Sequence, residues 1–102
     1  MEHQELFAGL IRLHVLHHAA ESGIFGQWMI EELARHDYRI SPGTLYPLLH
    51  GLEDKGYLKS HRERAGGRVR RIYRVTPMGR TALEMAKDKV RELFREILAE
   101  PE

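Results

Sequence analysis

Between Lys59 and Arg74 the chain gathers Arg62, Arg64, Arg68, Arg70, Arg71 and Arg74 around the pair Gly66-Gly67. With Lys59 and the single acid Glu63, the segment carries +6, although the whole chain carries only +1. The remainder is therefore −5, and any electrostatic argument has to be local. Guanidinium groups fork onto phosphates and fit narrow minor grooves. A duplex presents one negative charge per roughly 1.7 Å of axis and would neutralise such a cluster. The competing reading is a solvated hairpin whose arginines keep an edge strand from pairing with other chains. The slim glycine tip and the use of arginine over lysine favour the phosphate reading. The candidate contacts here are Arg64, Gly67, Arg68, Arg70 and Arg71.

A second set of groups precedes the basic segment. Ser41-Pro42 is a helix start, with serine able to cap and proline suited to the first helical position. On the helix that follows, Leu45, Leu48, Leu49 and Leu52 point one way, and Gly43, Tyr46, Pro47 and His50 point the other. Free N–H groups at a helix start attract anions, glycine permits close approach, and Thr44 and Tyr46 add hydroxyls. Ser41, Gly43, Thr44, Tyr46, Pro47 and His50 are thus candidate DNA contacts. Pro47 removes one backbone donor and is expected to bend or tighten the first turn. Viewed alone, Tyr46 reads equally well as an aromatic at the core edge. The basic hairpin beside it tips the balance to a contact.

His14, His17 and His18 stand at i, i+3 and i+4 on the first predicted helix, a spacing that brings imidazoles to one face. The alternatives are a metal-responsive site, with Glu21 one turn on, and a polar face of titrating histidines. The polar face is preferred, so no metal or other cofactor is assigned. There is no cysteine, which excludes disulfides, thiolate metal sites and cysteine nucleophiles. No nucleophile stands beside a base, and no glycine loop cradles a phosphate. The chain is not expected to be an enzyme.

These groups need a frame. A length of 102 residues, 42% of them hydrophobic, suits one compact unit. Helices are expected over Glu5–Ser22 with Gly23 as a left-handed stop, over Gln27–His36, and from Ser41-Pro42 to about Lys55 before Gly56. Met29, Ile30 and Leu33 should face inward, and Trp28 should fill core. Two strands, Tyr57–Arg64 and Val69–Val75, flank the Ala65–Arg68 turn. Thr76-Pro77 starts a last helix running to about Leu98. The order predicts a mainly α fold with a β-hairpin. No apolar run is long enough to span a membrane and no signal peptide is evident, so a cytoplasmic protein is expected.

On the last helix Leu83, Ala86, Val90, Leu93 and Ile97 are spaced 3, 4, 3, 4, with Phe94 beside them. That is the seam of a coiled coil. Packing on the first helix competes with dimerisation, and a helix this long on so small a unit favours a two-fold dimer.

The stretches "ISPGTLYPLLHGLEDKGYLKS" and "GGRVRRIYRVTPMGR" resemble the PadR family of bacterial winged-helix transcription regulators. The motifs run in register from about Gly9 to Leu83, with a departure at Gly26-Gln27, where the family has Gly-Tyr. The single last helix is similar to the small branch of that family. The resemblance implies a winged helix-turn-helix DNA-binding unit over 1–76 and a dimerisation helix over 77–102, packed with the first helix as one compact unit. It implies a homodimer with the third helix in the major groove and the hairpin wing on the adjacent groove or backbone. The operator on double-stranded DNA would be an inverted repeat, and the regulator a repressor responding to an apolar or aromatic small molecule. A winged helix that binds protein is the remaining alternative, and the charge of the hairpin argues against it.

Overall fold

The computed structural model describes residues 3–99. The outermost residues of the two expected units, 1–2 and 100–102, lie outside the described residues. In chain order the elements are α1 (Gln4–Glu21), α2 (Gly26–Arg35), α3 (Pro42–Asp54), β1 (Leu58–Ala65), β2 (Arg68–Val75) and α4 (Pro77–Ile97). This is a mainly helical winged helix with a long C-terminal helix.

The apolar periodicity of α1 to α3 makes the core. Ile11, Val15, Leu16 and Ala19 of α1 meet Met29 and Leu33 of α2 and Leu45, Leu49 and Leu52 of α3. Leu58, Tyr73 and Leu83 bring the hairpin and α4 into the same cluster. Trp28 and Ile30 are partly buried against it. Leu83, expected in the seam between two copies, is therefore largely consumed by its own chain's core, because the first turns of α4 lie on α1.

Gly23 is not a left-handed stop. α1 ends at Glu21, Ser22 is extended, and Gly23 is not among the positive-φ glycines. The demand on Gly23 is for space: a Cβ there would stand 2.5 Å from Ile72 Cγ2. β2 runs that close because Ile24 pairs with Tyr73, the N–H of each donating to the carbonyl of the other at 3.0 and 2.8 Å. This bridge extends the hairpin by a third, minimal strand. A single paired residue has no period, so nothing in the sequence announces it.

The left-handed positions are His3, which precedes α1, Asp37, which closes α2, and Gly56, Gly66 and Gly67. The expected four-residue turn is a two-residue loop, Gly66-Gly67, with φ of 57° and 78°. Both central residues at positive φ match the right-handed twist of the strands, so pairing runs to Ala65 opposite Arg68.

Candidate nucleic-acid interface

α3 starts where expected, but Ser41 does not cap a backbone N–H. Its hydroxyl donates instead to Thr44 Oγ1 at 3.3 Å. α3 also passes through Pro47 without interruption. Gly43, whose carbonyl would have bonded the missing N–H, is exposed, so water can serve it. The leucine face is buried or half-buried. Gly43, Tyr46, Pro47 and His50 are exposed, as the wheel requires. Thr44 is half-buried.

The wing is fixed to α3 through one carboxylate. Glu53 Oε2 accepts from the backbone N–H of Ser60 at 3.0 Å and from its hydroxyl at 2.7 Å, and Arg71 Nη1 donates to Ser60 Oγ at 2.9 Å. The root of the hairpin therefore cannot swing independently of the helix.

Strand pleating divides the basic residues between two faces. Arg62 and Arg64 share one with Val69, Arg71 and Tyr73; Arg68, Arg70 and Arg74 share the other with Glu63. Arg62 stands directly opposite Arg71. Like charges in that position repel, and an anion relieves them. Glu63 is 2.8 Å from His61 Nε2. Among the described residues, none of the six arginines of the wing is ion-paired to a carboxylate. Their charge is left for something outside the chain.

Tyr46, Arg68, Arg70 and Arg71 line one groove of about 270 Å³ between α3, β2 and the start of α2. Phe25, Gly26 and Gln27 form its other wall. The guanidinium of Arg70 lies over the Phe25 ring, 4.3 Å from its centroid, so Arg70 is half-buried and oriented while keeping its charge. The phenol of Tyr46 rests on Gly26, where a Cβ would come within 2.5 Å of its hydroxyl. Arg64 and Gly67 are exposed further along the wing, outside this groove. Ser41 and Gly43 stand at the start of α3, also outside it, and His50 lies further along that helix. Thr44 and Pro47 face a separate depression shared with Arg12 of α1. Phe25, Gln27 and Arg12 escaped sequence reasoning because they come from other elements. The aromatic at 25 just before a helix start was the one available signal.

The histidines do not all converge. His17, His18 and Glu21 place one ligand atom each within 4.8 Å of one another. His14 instead packs on His36, with ring centroids 4.8 Å apart, and on Tyr38. Burial, followed by the neighbouring imidazoles of His36, His18 and His17, lowers the His14 pKa below its ordinary value.

A three-helix core with a charged hairpin tied to the third helix is a nucleic-acid reader's geometry, and the comparisons agree with it. The family described as transcriptional regulator PadR-like matches residues 15–85. The chain belongs to that family. The PadR-like chain is similar to the transcriptional regulator Rv3488 of Mycobacterium tuberculosis, at 50% identity over 95 residues, 93% of this chain and 89% of the relative. Among solved structures it is similar to a PadR family transcriptional regulator from Eggerthella lenta. There the TM-score is 0.79 at 31% identity, with 91% of this chain and 82% of that one covered. A PadR-like regulator from Bacillus cereus shares the fold with a TM-score of 0.81, at 20% identity over 95% of this chain and 99% of that one. This PadR-like protein is a transcriptional regulator and not an enzyme. Among the described residues no helix is long and apolar enough to cross a membrane.

Proposed function

We propose that the protein is a homodimeric repressor that binds an inverted-repeat operator. α3 enters the major groove by the face carrying Gly43, Tyr46, Pro47 and His50, and the wing lies on the adjacent backbone or minor groove. The observation that carries this reading is the arginine cluster without carboxylate partners, held at a fixed distance from α3 by Glu53 and Ser60. Phosphate contacts position such a protein, and groups at the start of α3 read base edges. A repressor must also let go. A groove of about 460 Å³ between α1 and α4 has an apolar lining, Leu10, Leu13, Tyr38, Leu83, Ala86 and Val90, edged by His14, His17, Lys87 and Arg91, and suits an aromatic effector with a polar group.

Operator affinity should fall steeply between roughly 50 and 200 mM salt as counterions are released. Arg68→Ala should weaken operator and non-operator DNA about equally and lower the salt slope by roughly one unit. Fluorescence anisotropy across a salt series measures both. Salt-independent binding by the parent protein would remove the DNA reading. Loss of the operator alone in Arg68→Ala would make the wing a sequence or shape reader.

A further inference from the structure

We infer that His17, His18 and Glu21 form a binding site for a divalent late transition ion of the zinc class. The site lies on the last turn of α1, and the inference stands independently of how the protein engages DNA.

Ligand type and convergence support this first. Two imidazoles and one carboxylate bring their ligand atoms within 4.8 Å of one another. His17 Nε2 is 3.3 Å from Glu21 Oε1, and His18 Nδ1 is 3.5 Å from the same oxygen. A nitrogen-rich set with one carboxylate and no thiolate suits zinc, copper or nickel and not calcium or magnesium. His17 and Glu21 are exposed, so an ion can enter and complete its coordination with water.

The second support comes from the other side of the His18 ring. Its Nε2 is 3.3 Å from Glu32 Oε2, and Glu32 is only 13% exposed. A neutral imidazole has one N–H and one lone pair. Both ring nitrogens of His18 stand near a carboxylate oxygen, so the single N–H cannot serve both, and one lone pair is left beside an acceptor. A cation between them resolves the opposition, and the Glu32 carboxylate then orients the ring and raises its basicity. That is the carboxylate–histidine–metal arrangement of built metal sites. Glu32 also lies 3.3 Å from His36 Nε2, and that contact holds it in place from α2. His14 belongs to the His36–Tyr38 packing and does not ligate.

A second proton on His18 would resolve the same opposition, so the test must see the ion itself. The full chain, prepared without a polyhistidine tag and stripped with chelator, is titrated with zinc sulfate at pH 7.5 in a calorimeter. One ion per chain is expected, with proton release that depends on the buffer, because ligating imidazoles must be deprotonated. His17→Gln and Glu21→Gln, both at exposed positions, should each weaken binding at least tenfold with an unchanged melting curve. Glu32→Gln should weaken it by about 10- to 100-fold. His14→Gln, whose ring packs on His36 and Tyr38, should bind within about twofold of the parent. Absence of zinc uptake overturns the site. So does retained binding in both His17→Gln and Glu21→Gln, or binding that is lost only in His14→Gln.

Discussion

Tyr46 shows how an exposed side chain is positioned by a buried neighbour. Its ring leans on Gly26 at the start of α2, and that contact sets where the hydroxyl points. Tyr46→Phe should cost operator binding about 1 kcal/mol, the scale of one hydrogen bond, without altering stability. Gly26→Ala should displace the phenol, since the new methyl group would meet the end of a movable side chain and not backbone. It should therefore lower operator affinity at least as much while the circular dichroism spectrum stays native. Parental operator affinity in Gly26→Ala would show that the position of Tyr46 is unimportant. His14 acts at the same scale on pH dependence. Its folded-state pKa is depressed by burial and by His36, His18 and His17, so the unfolded chain takes up the proton first. The stability it supports is complete above the unfolded value of about 6.5 and is lost as pH falls below it. The nearby groups are His17, His18, His36, Tyr38 and Glu32, and of these Glu32 opposes the depression. Thermal melts between about pH 7.5 and 5.5 should show falling stability, and His14→Asn should flatten that fall. An identical profile in His14→Asn would assign the effect to the other histidines.

Among the elements, the junction between wing and α4 is the least tolerant. Thr76 caps α4 by accepting from the Gly79 N–H at 3.0 Å, while its hydroxyl donates to the Gly56 carbonyl and its N–H to the Tyr57 carbonyl at 3.0 Å. Gly79 is buried against Tyr57, where a Cβ would collide with the backbone carbonyl oxygen and with Val75. Backbone cannot swing aside as the Tyr46 ring can. Gly79→Ala should destabilise the fold by about 1–3 kcal/mol, read as a lower urea midpoint. A midpoint equal to the parent's would mean that α4 shifts freely on the wing. The threonine-to-glycine spacing in "TPMG" is therefore a docking device as well as a helix start.

For the whole molecule, the open question is what covers the outer part of α4. Val90, Leu93, Phe94 and Ile97 are 44%, 53%, 62% and 66% exposed in one chain, while Leu83 and the first turns are held by α1. Leu6 and Leu10 of α1 are exposed as well. A second copy related by a two-fold axis would cover both stripes and set the spacing of two α3 helices on DNA. Val90→Glu should place a charge in that interface and give a folded monomer by sedimentation, with operator affinity lost. A folded dimer would show that the seam is not the contact.

The sequence by itself determined the element order, the leucine face of α3, the exposed set opposite it, and the charge of the wing. Each follows from local periodicity, a turn residue or a count, and none needs a neighbour. The "GG" pair fixed a tight turn because only glycine takes positive φ twice in succession at little cost. Tertiary structure decided the rest. It placed Phe25 beneath Arg70, turned Ser41 away from its backbone, and converted Gly23 from a helix stop into a clearance for β2. It packed His14 on His36 and Tyr38, set His18 between Glu21 and Glu32 of α2, and left His17 exposed beside Glu21. It also consumed Leu83 in the chain's own core while leaving Val90 to Ile97 open. The heptad spacing of α4 is the same along its length. Only the distance at which α1 ends its contact decides which part of the stripe faces inward, and a repeat in sequence carries no record of where a neighbouring helix stops.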